Sequence, residues 1–188
     1  MKKVLIFMVL LSLVAVQAEA ASMEIELNDN SVQAGFATPL RMDEYGTSLL
    51  NARLLYNDNK DTTLGSAGFD FLGQPGNVPG LDLGVGAQVY GGQAADSQNI
   101  LSLGIGGQVS YAPPMLEGVG ISGKFFYAPH ILSLLDVDRM LETGLRVSYA
   151  ITPKVKVYLG YQYIRADFDN GEDGAIDDSG RVGFAANF

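Results

Sequence analysis

From Leu81 onward the chain alternates. Leu81, Leu83, Val85, Ala87 and Val89 hold one parity, and Asp82, Gly84, Gly86, Gln88 and Tyr90 hold the other. The next segment repeats it, with Leu101, Leu103, Ile105 and Val109 against Ser102, Gly104, Gly106, Gln108 and Ser110. Leu141, Thr143, Leu145, Val147 and Tyr149 then alternate with Glu142, Gly144, Arg146 and Ser148. Val155, Val157, Leu159, Tyr161 and Tyr163 do the same against Lys156, Tyr158, Gly160 and Gln162. Successive side chains of a strand point to opposite faces, so a period of two predicts strands with one apolar and one polar face. After residue 20 no window carries a comparable helical period, and the expected class is all-β.

The pattern predicts ten strands, at about 23–28, 31–37, 48–57, 63–72, 80–90, 100–111, 117–127, 139–150, 154–166 and 178–188. The first two are short enough to form one bent strand or a partial plug, which would leave eight. Gln74–Gly80, Ala112-Pro113-Pro114 and Ile151-Thr152-Pro153 carry compact, proline-bearing turn chemistry. Connections of the other parity are polar or longer: 57–63, 91–99, 129–138 and 167–178. Thr38–Thr47 breaks this rule, as a long connection on the short-turn side.

Composition narrows what such a sheet does. The 188 residues include no Cys and no Trp, 18% are charged, and the net charge is −9. A chain without cysteine has no disulfide framework, thiolate metal site or cysteine nucleophile. The acidic balance argues against a nucleic-acid partner, whose phosphates demand clustered Lys and Arg. Lys2 and Lys3, an apolar run from Val4 to Val16, and Ala18-Glu19-Ala20 form the three regions of a secretory signal peptide. Thirteen residues are too few to span a bilayer as a helix, which takes about 20. Residues 1–20 are therefore expected to be removed after Sec export, with Ala18 and Ala20 as the cleavage signal. Residues 21–188 would form the mature domain.

Alternation alone fits a soluble periplasmic ligand-binding barrel, apolar inside, as well as a membrane barrel, apolar outside. Three features favour the second. The polar face is built from Gly, Ser and Gln, suited to a crowded lumen. Aromatics gather at both ends of the apolar parity: Tyr56, Phe125, Tyr127, Tyr161 and Tyr163 toward the long loops, and Phe69, Phe71, Tyr111, Tyr149 and Phe184 toward the short turns. Such girdles mark membrane interfaces. Finally, the sequence stops on an amphipathic strand, Val182, Phe184, Ala186, Phe188. The expected fold is a transmembrane up-and-down antiparallel β-barrel of about ten strands.

Two segments carry a family resemblance. Phe126–Ser133, followed by Asp136-Val137-Asp138, resembles the "YYAP…LS…D-x-D" stretch of the YfaZ-type outer-membrane family. Val157–Ile164 resembles its "VYLGYRxI" pattern, with Gln162 where the family has Arg. The last strand, with Phe184 and Phe188, looks like the assembly signal of bacterial outer-membrane barrels. The resemblance implies a cell outer-membrane location and porin-like fold, with outer-membrane lipid, lipopolysaccharide, periplasmic chaperones and the barrel-assembly machinery as partners. It attaches no reaction, substrate or cofactor.

If the apolar parity faces lipid, then Glu24, Glu26, Arg53, Asp70, Asp82, Lys124, Glu142, Arg146, Lys156 and Arg181 face inward. Five acids and five bases suggest lumen ion pairs, with Tyr158, Gln108 and Asn187 as hydrogen-bond partners, because a narrow interior leaves little water for unpaired charge. The matching functional expectation is a non-enzymatic envelope protein, structural or a narrow passage for small solutes. A lipid A- or peptide-cleaving barrel would need the single histidine, His130, with Ser133 and Glu142, or with Asp136 and Asp138. His130 and Ser133 are three apart in a proline-led loop, a poor start for a triad. The segment Asp167–Asp178 holds six carboxylates and reads as a solvated loop, with weak divalent-cation binding as the alternative. Its spacing fails the calcium-loop pattern, since Gly171 and Gly180 occupy ligand positions.

Overall fold

In the computed structural model, residues 21–95, 98–168 and 173–188 are described. The expected signal peptide, including Ala18 and Ala20, lies outside them. Eleven strands follow in order: β1 (Ser22–Leu27), β2 (Ser31–Asp43), β3 (Gly46–Asn57), β4 (Thr62–Gly73), β5 (Leu81–Gln93), β6 (Asn99–Tyr111), β7 (Val119–Ala128), β8 (Ser133–Leu135), β9 (Val137–Thr152), β10 (Val155–Phe168) and β11 (Asp173–Asn187). Ten of them close into an antiparallel barrel, and β8 is a short addition. Closure comes from β1, which pairs with β2 on one side and β11 on the other, from Ser22↔Asn187 to Leu27↔Val182. Phe188 adds a backbone bond, its N–H donating to Ala21 O at 2.9 Å. Closure pairs each of the ten wall strands on both sides, as a sheet immersed in hydrocarbon requires, because each unpaired backbone group there costs several kcal/mol.

The faces are inverted relative to a soluble protein. Val85, Leu159 and Val182 are 60–67% exposed on the outer wall, whereas Gln33, Glu142 and Asp177 inside are at most 1% exposed. Turn chemistry sets the short end. Asp43 Oδ1 accepts from the backbone N–H of Tyr45 and Gly46 at 3.0 and 3.2 Å, closing the β2–β3 hairpin. Thr152 Oγ1 does the same for Lys154 and Val155 between β9 and β10. At Gly80, φ is +81°, and a Cβ would lie 2.2 Å from Ala112 O, so this junction requires glycine.

The first two strands are separate and full members of the wall, so the barrel has the ten strands expected rather than eight. Two connections differ from the sequence expectation. The proposed long connection at 38–47 is a tight hairpin, because β2 runs on to Asp43. Pro39 is accommodated by a register shift between Pro39 and Arg41, where one residue leaves the ladder and the missing N–H is harmless. The loop at 129–138 contains β8, which pairs with β6 from Ile100↔Leu135 to Ser102↔Ser133, beyond the last β6–β7 pair at Ile105↔Tyr127.

The acidic segment also departs from a solvated loop. β10 continues to Phe168 and β11 begins at Asp173, leaving 169–172 between them outside the described residues. Asp177 is inward on the parity of Ser179 and Arg181, and a bulge opposite Ile164/Arg165 turns Ile176 inward as well, at 0% and 3% exposure. Asp177 is tolerated there because Arg181 neutralises it.

Candidate functional site

The lumen gathers the inward-facing charges into three bonded groups. The first centres on Glu142 of β9. Both its oxygens receive the Arg53 guanidinium from β3, with Arg53 Nη2 donating to Oε2 at 2.8 Å. Lys124 of β7 contacts the same carboxylate, and the Tyr90 hydroxyl of β5 donates to Oε2 at 2.7 Å. Four strands thus meet on one anion that is 1% exposed. The fork of Arg53 matches a carboxylate in two parallel bonds, which fixes orientation as well as charge.

The second group centres on Arg146 of β9, which contacts Glu24 and Glu26 of β1, with Nη1 donating to Glu24 Oε2 at 3.0 Å. The Tyr158 ring lies under its guanidinium, 4.9 Å from centroid to Cζ, and the Tyr158 hydroxyl donates to Glu26 at 3.3 Å. The third group centres on Asp177. Arg181 approaches at 2.8 Å, Asn57 donates at 3.2 Å and Gln162 at 3.1 Å. Gln162 also donates to Gln33, and Arg181 donates to Ser31 Oγ at 2.8 Å. Lys124 Nζ reaches Gln162 Oε1 at 3.4 Å, linking the first group to the third.

Of the ten charged residues predicted to face inward, Asp70, Asp82 and Lys156 are not drawn into these groups. Asp70 is 5% exposed and accepts only from Asn51 Nδ2, at 2.6 Å, while its other oxygen has no partner among the described residues. Asp82 is half-buried and Lys156 exposed near the short-turn end, where water solvates them. Tyr158 acts as a bonding partner, whereas Gln108 and Asn187 form no side-chain bonds among the described residues.

Sequence reasoning missed two parts of this interior. Asp177 was hidden in an acidic run just before the expected start of the last strand, although it shares the inward parity of Arg181. The long-loop half of the lumen also holds an apolar cluster: Leu55, Leu64, Ile100, Met140, Ile164 and Phe168 pack together, each at most 6% exposed. Its signal is present on β10, where the inward parity passes from Tyr158 and Gln162 to Ile164, Ala166 and Phe168. Burying each large side chain contributes about 1.5–3 kcal/mol relative to an aqueous lumen.

Of the catalytic arrangements weighed from sequence, the triad of Ser133, His130 and Glu142 does not assemble, whereas His130 and Asp138 do meet. His130 Nδ1 meets Asp138 at 2.7 Å on the rim, Ser133 Oγ donates to Pro129 O at 3.2 Å, and Glu142 is held by cations in the lumen. Asp136 accepts from the Asn99 backbone N–H at 2.7 Å. No three His, Asp or Glu side chains converge as a cation site among the described residues.

A closed antiparallel sheet, apolar toward its surroundings and polar or packed within, with aromatics at both ends of the apolar band, defines a transmembrane β-barrel of the outer-membrane type. The profile of the family described as YfaZ precursor matches residues 1–188, and the chain belongs to that family. No curated protein matches it. Among solved structures, it is similar to a chain from work on the mechanism of in-meso crystallisation of membrane proteins, at 13% identity, 90% of this chain, 83% of that one and a TM-score of 0.49. It is also similar to the KdgM porin, at 11% identity, 90% and 99% coverage and a TM-score of 0.46. The same porin in complex with disordered oligogalacturonate gives 11% identity, the same coverage and 0.44.

Proposed function

We propose that the protein is a non-enzymatic, integral component of the outer membrane whose lumen is closed, so that it serves the envelope as a structural barrel. Residues 1–20 direct Sec export and are removed, the short turns face the periplasm, and the long-loop end faces outward. Periplasmic chaperones and the barrel-assembly machinery deliver it, the latter through the final strand with Phe184 and Phe188. Outer-membrane lipid, lipopolysaccharide included, surrounds it.

The observation that carries this reading is how the lumen is filled. The apolar cluster of Leu55, Leu64, Ile100, Met140, Ile164 and Phe168 packs toward the long-loop end. Beside it lie the Glu142 and Asp177 groups, both in register with Ile164, with carboxylates at most 1% exposed. A passage for solutes needs a continuous wetted path, and an ion entering apolar packing meets a desolvation penalty of several kcal/mol.

Conductance in a planar bilayer tests this. The refolded barrel is expected to show no sustained open state, and Ile164→Ala with Phe168→Ala is expected to open a small conductance by emptying the plug. Long-lived ohmic conductance of the unmodified barrel would show instead that the lumen is a passage.

A further inference from the structure

We propose that the outer wall formed by β6, β7, β9 and β10 binds a phosphorylated, multiply acylated glycolipid of the outer leaflet, seating an acyl chain in a groove and the phosphate on Arg139 and Arg165. The proposal rests on the outward orientation of the long-loop end given above.

The groove comes from small residues on the lipid-facing parity. Gly107 of β6, Gly123 of β7 and Thr143 of β9 form a depression of about 610 Å³, walled by Phe125, Leu145 and Tyr161. Small residues also occur elsewhere on this parity, Ala67 and Gly91 among them, and the depression lies where Gly107, Gly123 and Thr143 face outward on three adjacent strands. Gly123 is informative because nothing in its backbone surroundings demands glycine: a Cβ would meet its nearest neighbours at 3.6–3.9 Å, ordinary contact distances. By contrast, the inward Gly86, Gly106 and Gly183 have neighbours within 2.0–2.6 Å of a would-be Cβ. The missing side chain at 123 leaves space in the wall rather than relieving a clash.

A groove facing hydrocarbon does not select a lipid, because lipid tails are as apolar as leucine. Selection has to come from the headgroup, and the same wall supplies the charge. On β9 the outward parity runs Thr143, Leu141, Arg139, and on β10 it runs Tyr161, Tyr163, Arg165. Both arginines sit four residues beyond the groove residue of their strand, about 13 Å toward the rim. Tyr127 and Tyr163 lie between, at the level of the interface girdle. Asp167 holds the two guanidinium groups together, at 3.1 Å from Arg139 and 2.9 Å from Arg165. Asp138 also contacts Arg139 and pairs with His130, yet Arg139 stays 55% exposed and Arg165 40%. Near this rim, only Lys60 among the described cationic side chains lies away from that wall. A phosphate at the height of the arginines places its acyl chains at the height of the groove.

The test uses the mature barrel in nanodiscs of phosphatidylcholine containing a small fraction of hexa-acylated, bis-phosphorylated lipid A, with bound lipid read by native mass spectrometry. Each cationic side chain near a membrane surface contributes about a fivefold gain in anionic-lipid affinity, so R139Q with R165Q is expected to lower retention about 25-fold. Gly123→Leu is expected to lower it with both arginines intact, and Val32→Leu, on β2 across the barrel, to leave it unchanged. Enzymatically dephosphorylated lipid A is expected to be retained equally by the unmodified and the double-glutamine barrel. Heat-modifiable mobility verifies that each variant is folded. Unchanged retention in the folded double-glutamine variant would overturn the proposal. So would a dimer that Gly123→Leu dissolves while lipid retention persists, since the groove would then seat a second copy. A protein that neither inserts nor shows heat-modifiable mobility would overturn the outer-membrane reading itself, and this proposal with it.

Discussion

Glu142→Ala removes the anion on which Arg53, Lys124 and Tyr90 converge. Arg53 and Lys124 then face each other, at 9% and 19% side-chain exposure, with no carboxylate between them. Breaking a buried pair from one side costs about 3–5 kcal/mol, because the remaining charge keeps its desolvation penalty without its partner. The orphaned Tyr90 hydroxyl, in a residue 1% exposed, adds about 1–3 kcal/mol. Replacing all three charges at once, Arg53→Met, Lys124→Met and Glu142→Leu, is expected to recover most of the loss, since exchanging a buried ion cluster for apolar packing is often neutral or better. The assay is urea unfolding in phospholipid vesicles, followed by far-UV circular dichroism and gel mobility because the chain has no tryptophan. A loss of no more than about 1 kcal/mol for Glu142→Ala, the scale of an exposed pair, would refute the picture of a dry, buried network.

Arginine placed at Val147 or Leu159, both outward on the apolar band, is expected to cost about 2–4 kcal/mol of folding stability in vesicles; Ser148→Arg, facing the lumen, should cost less. Equal damage at the three positions would mean that the faces are misassigned. Gly183→Ala puts a methyl group 2.6 Å from the Tyr158 ring; the ring must leave Arg146, and thermal or urea unfolding should register a loss of about 1–3 kcal/mol. Deleting Phe188, which is 63% exposed outside β11, is expected to slow assembly in cells more than it lowers the stability of folded barrel; the reverse result would make it a packing residue. Mature protein should begin at Ala21 and fractionate with the outer membrane, which N-terminal sequencing and sucrose-gradient separation will check.

The alternation determined a great deal by itself. A strand's period of two is a property of the local backbone, so the ten wall strands, their apolar and polar faces and the aromatic girdles were legible, although β8 and the full lengths of β2 and β11 were not. The final strand could be recognised in the same way. Tertiary structure decided who meets whom. Arg53 and Glu142 stand 89 positions apart, and Arg146 and Glu24 stand 122 apart. Their meeting depends on strand tilt, stagger and closure of the whole ring, which no local pattern encodes. The same holds for Ile176, whose inward turn depends on a bulge defined only against β10. Local pattern also cannot say which inward residues of different strands pack together. Ile164 and Phe168 share the inward parity of Gln162, and only the convergence of β3, β4, β6, β9 and β10 at the long-loop end makes them one plug.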